Sequence, residues 1–391
     1  MQALSLGPRP RILLVRLGAI GDVVVATPVA RVLRQALPEA YLAWVVEEKA
    51  ADVLVGNPYL DEVIVWRRGS WQRELGRWTR IAGHARFLAE LRRRRFDVGI
   101  DFQGLARSAA LLFAAGPRHR IGNTRSREGS GLCYTLRVPR PPEPSNRQRC
   151  LDLLRPLGVE SRDRRMEVAV SEENRAFAAA FLEQHGLENA PYVCLCPATT
   201  WRNKHWREER WAQLADALQR RLGLRPMFMG SRADLPLLAR IQAAMSAAPV
   251  VAAGQTSLRG AAALLERAQA AVSVDTALMH IGVAVGTPVV GLCGPSYWPG
   301  FQDYERFRMI RKSLPCSPCL RHPTCAHFDC MAAIGVEETV RAVAEFMATD
   351  AVMMRRRGRN GGGPSSSGRP GAPAPRRRGP VSRRWLASTA E

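Results

Sequence analysis

Three short segments carry side chains whose types and spacing could do chemistry together. Arg16-Leu-Gly18-Ala-Ile-Gly21-Asp22 follows an apolar run and puts one carboxylate just inside a helix start. Thr199-Thr200-Trp201-Arg202-Asn203-Lys204-His205-Trp206 gathers two hydroxyls and an ammonium between a strand and the next helix. Asp275-Thr276-Ala277-Leu278-Met279-His280 sets an acid, a hydroxyl and an imidazole after another apolar run. A carboxylate can take the proton of a hydroxyl nucleophile. An ammonium, hydroxyls and the free amides of a helix N-terminus suit phosphate oxygens and the charge that grows on a departing phosphate. These residue types fit an anionic group attached to a polyol, a nucleotide sugar for example.

Each segment also has a plainer reading. Asp22 could cap its helix and favour the macrodipole. The glycines beside it match neither the dinucleotide fingerprint nor a P-loop. Lys204 could be a solvated loop residue, but lysine is scarce: Lys49, Lys204 and Lys312 stand among 57 basic residues. A compact ammonium suits one phosphate oxygen as a point charge, where a guanidinium prefers a bidentate partner. His280 is as well placed for a structural hydrogen bond as for catalysis. Asp234, in Gly230-Ser-Arg-Ala-Asp234, could contact a ribose or only start a helix.

Alternating strands and helices must position these groups. Apolar runs at Arg11–Val15, Tyr41–Val46, Glu62–Trp66 and 97–101 read as parallel strands, with a basic helix over 83–95. Pro139 to Arg147 reads as a surface connection. The pattern restarts at Tyr192, with helices over 208–222, 235–245 and 258–267 and strands at 226–229, 250, 272 and up to Gly294. We expect an α/β protein of two doubly wound, Rossmann-like domains facing a central cleft, over 1–170 and 171–335, then a helix at 336–350. Residues 351–391, rich in Arg, Gly, Pro and Ser, cannot bury enough apolar surface and are expected to form a disordered tail.

The net charge of +22 is spread unevenly, and 351–391 alone holds ten arginines against one acid. Such a balance attracts nucleic acid, anionic lipid or phosphorylated sugars. No recognised nucleic-acid motif accompanies it. No run reaches the eighteen or so apolar residues of a membrane span, and no secretory signal is visible, so a cytoplasmic location is expected. Cys133, Cys150, Cys194, Cys196 and Cys293 read as small buried hydrophobes. Cys316, Cys319, Cys325 and Cys330 are close enough to hold a structural zinc, or to remain free or redox-labile thiols.

The ordered set Arg16–Asp22, Asp101-Phe-Gln-Gly-Leu-Ala-Arg107-Ser108, Pro197–Thr200 with Lys204-His-Trp206, and Asp275–His280 resembles the ADP-heptose:lipopolysaccharide heptosyltransferases, glycosyltransferase family nine. The likeness runs from about Arg11 to Ala348, and the Cys316–Cys330 group resembles a pattern found in many members. It implies a GT-B fold and inverting, metal-independent transfer of heptose from ADP-heptose to the lipopolysaccharide inner core, with no cofactor in catalysis. It implies Asp22 as general base and Lys204 with Thr199 and Thr200 at the donor phosphates. Asp234, Asp275, Thr276, Ala277, Leu278 and His280 would complete the donor site, Ala277 standing where the family usually has glycine. Gly21, Arg107, Arg125 and Arg127 would meet an anionic, lipid-linked acceptor. The basic tail is expected to attach weakly to anionic membrane where a lipid-linked acceptor resides, giving peripheral association with the inner face of the cytoplasmic membrane and no nucleic-acid partner. The alternatives are another nucleotide sugar or glycan or protein acceptor on the same fold, and a basic nucleic-acid-binding protein.

Overall fold

A computed structural model describes residues 3–69, 76–140, 145–297, 301, 304–319 and 325–359. The chain divides into two compact units, one ending at Ala169 and the next beginning at Val170.

The first unit is a six-stranded parallel sheet of β1 (Arg11–Val15), β2 (Tyr41–Glu47), β3 (Glu62–Trp66), β4 (Val98–Asp101), β5 (His119–Asn123) and β6 (Leu136–Val138), in the order β3-β2-β1-β4-β5-β6. Its central strands are apolar on both faces because helices cover both. Ile12, Leu13, Leu14 and Val15 have no exposed surface, and neither has Trp44 of β2. β1 pairs with β2 through Ile12–Leu42 and with β4 through Ile12–Val98.

The second unit repeats the design with β7 (Tyr192–Cys196), β8 (Arg225–Phe228), β9 (Val250–Val251), β10 (Ala270–Val274), β11 (Val289–Leu292) and β12 (Phe307–Ile310), ordered β12-β11-β10-β7-β8-β9. Shifted by six, this is the strand order of the first sheet. Every pairing is parallel. Below the sheet, Trp206 and Trp211 meet edge to face at 5.2 Å, and Trp206 Nε1 donates to Ile334 O at 3.1 Å. That bond satisfies the indole N–H, which burial would otherwise leave without a partner.

The expected central strands and helices are present, and the helix Ala106–Ala115 is one of several additions. β5, β6 and β12 are additional edge or near-edge strands. A capped helix, Glu172–Gln184, opens the second unit. The last helix runs over Val336–Arg359, so 351–359 is helical where a tail was expected. No Gly or Pro breaks the sequence before Gly358. The rest of that tail, 360–391, lies outside the described residues.

Candidate active site

In an open α/β sheet, ligands gather at the carboxyl ends of strands where the strand order reverses. That point lies between β1 and β4 in the first unit and between β7 and β10 in the second. All three reactive segments leave from those strands.

In the second unit, Pro197–Trp201 leaves β7 and tightens into a 3₁₀ turn, Arg202–Lys204. The turn directs Lys204 at Asp275, which begins the segment leaving β10. Lys204 Nζ lies 2.6 Å from Asp275 Oδ2, with both residues buried. Trp201 presents its ring 4.0 Å from the same ammonium, a cation–π contact. His280 Nε2 lies 3.7 Å from Asp275 Oδ1 on the opposite side of the carboxylate. Thr199 Oγ1 donates to Asp275 O at 3.3 Å, and His205 Nε2 meets Thr199 O at 2.9 Å. Burial alone would raise the Asp275 pKa. The facing His280 imidazole and the charge of Lys204 outweigh it and hold the carboxyl well below the usual range.

Thr276 is the N-cap of the Ala277–Val285 helix, with extended backbone and no side-chain cap. The first amides of that helix therefore have no intrahelical partner and no cap to satisfy them. Thr276, Ala277 and Leu278 are partly accessible, and Thr200 is exposed. An uncapped helix start beside a buried ammonium can take an anion. Asp234 is engaged otherwise: its Oδ2 accepts from Ser231 N and Ser231 Oγ, both at 2.7 Å, closing a capping box after β8. That is the helix-start role, and among the described residues the second oxygen accepts no hydrogen bond.

In the first unit, Asp22 sits in the opening turn of the Ile20–Ala26 helix beside the buried Gly21. Its carboxylate pairs with Arg16, Nη2 to Oδ2 at 2.7 Å, and is about one-third exposed (37%). Arg16 Nη1 donates to Phe102 O at 2.6 Å, and Leu17 N donates to Gln103 Oε1 at 3.0 Å. The loop after β4 thus holds the loop that carries Asp22. Asp101 anchors it in turn: fully buried, it accepts from Gln103 N and Gly104 N and from the hydroxyls of Ser108 and Tyr134. Gly104 takes φ +69°, which a side chain would strain, and Arg127 N donates to its carbonyl.

Arg107 Nη1 lies 3.5 Å from Glu47 Oε1. Arg125 and Arg127 are exposed and make no ion pair among the described residues. Burial, then the charges of Arg149, Arg125 and Arg127, pull Arg140 below an ordinary guanidinium, so these arginines share one neighbourhood.

A family model for glycosyltransferase family 9 (heptosyltransferase) matches residues 84–327. The chain belongs to glycosyltransferase family 9. It is 31% identical over 323 residues to lipopolysaccharide heptosyltransferase 1 of Pseudomonas aeruginosa, spanning 81% of this chain and 88% of that one. Lipopolysaccharide heptosyltransferase 2 of Escherichia coli is 26% identical over 300 residues, 73% of this chain and 83% of the relative. A solved family 9 glycosyl transferase from Veillonella parvula aligns with a TM-score of 0.77 at 25% identity, over 89% of this chain and 100% of that one. E. coli ADP-heptose LPS heptosyltransferase II shares the fold with a TM-score of 0.69 at 22% identity, over 87% and 99%. The family resemblance and the GT-B fold expected from the motifs are borne out, and the chain is a glycosyltransferase.

In this glycosyltransferase Cys316, Cys319, Cys325 and Cys330 lie close enough to feel one another's charge, and an imidazole joins two of them. Sγ of Cys316, Sγ of Cys325 and a ring nitrogen of His327 lie within 4.8 Å of one another. Cys319 Sγ also lies 4.0 Å from Asn203 Nδ2, and Cys330 is buried under Gly294. Two thiols and an imidazole are a donor set that zinc accepts, and among the described residues they are one ligand short of a closed tetrahedron.

Sequence reading missed Arg16 as the partner of Asp22, Gln103 as the brace of Leu17, and Trp201 beneath Lys204. Arg16 and Asp22 are six residues apart across a strand-to-helix turn, a spacing with no periodic signature. Trp201 lay inside a motif already singled out.

Proposed function

We propose that this glycosyltransferase moves heptose from ADP-heptose to the lipopolysaccharide inner core, on Kdo-lipid A or a heptosylated acceptor, with inversion and without a metal ion in the transfer step. The observation that carries the reading is the buried Lys204–Asp275 pair beside the uncapped start of the Ala277–Val285 helix. The names of the similar heptosyltransferases supply the sugar and the acceptor class.

Asp22 takes the proton of the acceptor hydroxyl as that oxygen bonds to the anomeric carbon. The bond from that carbon to the β-phosphate oxygen breaks, and its electron pair leaves with ADP. An ammonium has three donors and the Asp275 bond uses one, so Lys204 retains two for the phosphates. Thr199, Thr200 and the amides of residues 276–278 share that charge, and His280 steadies Asp275 from behind. The free oxygen of Asp234 suits a ribose hydroxyl. Arg107, Arg125 and Arg127 meet the anionic acceptor, and Gly21 lets it approach the Asp22 loop. A zinc ion at Cys316, Cys325 and His327 would tie loops together and supply no chemistry to the transfer. The enzyme works at the cytoplasmic side of the membrane, against an anionic lipid surface.

The test is donor and acceptor profiling of the purified protein, with the product linkage read by NMR. A heptose on an inner-core sugar, transferred in the presence of EDTA with inverted anomeric configuration, is the expected result. Turnover of a different nucleotide sugar only, or none without a divalent ion, would overturn it.

A further inference from the structure

The helix Arg77–Arg93 packs on its sheet mainly through its second half. Phe87 and Leu91 are buried, and Trp66 stacks on Phe87 at 5.9 Å and donates to His84 Nδ1 at 3.2 Å. The first turns stand away from that core: Trp78 is 78% exposed and Ile81 48%. Ala82, Ala85 and Ala89, all exposed, continue the same stripe at helical spacing. Exposed Arg86, Arg92 and Arg93 border it, and Glu90 is the one acid in the stretch 77–95. At the helix end, Arg92, Arg93, Arg95 and Arg118, with the single acid Asp97, line an open cavity of about 580 Å³. On the adjoining helix Ala106–Ala115, Phe113 is 57% exposed, with the Arg120 guanidinium 5.3 Å from its ring.

We propose that this face docks on an anionic phospholipid surface, with Trp78 and Ile81 entering the acyl boundary and the bordering guanidiniums holding lipid phosphates. The inference rests on the reading that the acceptor is lipid-linked, and it assigns membrane attachment to a folded face rather than to the basic C-terminal tail. Three features converge on that occupant. Tryptophan favours the headgroup level, where its ring is in an apolar layer and its N–H reaches water. Arginine stems lie along apolar surface while their heads reach the phosphates. Small alanines between the apolar tip and the arginines let the helix lie flat, as interfacial helices do. A single-stranded nucleic-acid site would need successive aromatic platforms along a basic groove, and Ile81 and the alanines offer none.

The test is co-sedimentation of the full chain with vesicles of phosphatidylcholine alone or mixed with phosphatidylglycerol. Wild type, a Trp78→Ser/Ile81→Ser double variant, an Arg92→Gln/Arg93→Gln double variant and a chain lacking 360–391 are compared. Heptose transfer to a water-soluble inner-core acceptor is measured on the same preparations. Wild type is expected to partition onto the anionic vesicles and far less onto neutral ones. Each face variant should lose partition by about tenfold, while transfer to the soluble acceptor is unchanged. Removing 360–391 should leave most of the partition in place. Equal partition of wild type and both face variants overturns the proposal, as does its abolition by the tail deletion alone. Unchanged vesicle binding with loss of affinity for a polynucleotide in the arginine variant would also overturn it, in favour of a nucleic-acid surface. Absence of transfer to any soluble acceptor counts against the transferase reading and leaves the vesicle comparison standing.

Discussion

Each reactive side chain is held by a partner of opposite charge or by a hydrogen bond. Asp22 is tied to Arg16, yet remains partly accessible, as its proposed role of base toward a substrate hydroxyl requires. Lys204 and Asp275 form a buried pair, so removing one leaves the other uncompensated. Lys204→Ala should cost about 3–5 kcal/mol of stability and weaken ADP binding; calorimetry giving wild-type affinity would remove Lys204 from the phosphate site. The depressed Asp275 carboxyl adds a pH dependence with a definite sign. Its contribution is complete above the unfolded carboxyl pKa of about 4 and drains away as pH falls below it toward the lower folded value. Denaturation midpoints should therefore fall more steeply with acid in wild type than in Asp275→Asn; parallel curves would mean that the pair does not set acid stability.

Loops after β4 and β5 make the first unit's site rigid. Asp101 gathers four donors in a place where burial raises its pKa, and its network leads through Gln103 to Leu17 and so to the Asp22 loop. Tyr134 reaches Asp101 because Gly122 has no side chain; a Cβ there would meet the Tyr134 ring at 2.2 to 2.5 Å. Tyr134→Phe should cost about 1–3 kcal/mol and Gly122→Ala about as much through overpacking, measured by chemical denaturation. Both should also slow transfer without changing ADP affinity. Full activity in either would show that the Asp22 loop does not need this brace. The central strands were legible from sequence because parallel strands covered on both faces read as unbroken apolar runs. β5 (HRIGN) and β6 (LRV) were not, since strands near a sheet edge carry too few apolar residues to stand out. The Glu172–Gln184 helix did carry a readable start, Ser171 with Asn174 as a capping box.

At the scale of the whole molecule, the chain builds one sheet topology twice and hangs a different chemistry on each copy. A carboxylate leaves β1 of the first; an ammonium, hydroxyls and a helix start leave β7 and β10 of the second. The motifs pointed to that division because each follows a strongly apolar strand. What they did not show was side-chain pairing: that Lys204 meets Asp275, or that His327 joins Cys316 and Cys325, depends on loops whose spacing has no period. A chain lacking the Arg-rich segment 360–391 should transfer to a soluble acceptor at the wild-type rate; a large loss would place that segment in the reaction.

The most direct measurement is turnover of ADP-heptose by Asp22→Asn beside wild type, with ADP affinity measured calorimetrically on the same samples. If Asp22 is the base, turnover should fall by about 10²–10⁴ while ADP binds as before. Undiminished turnover in a folded, ADP-binding Asp22→Asn protein would contradict the account.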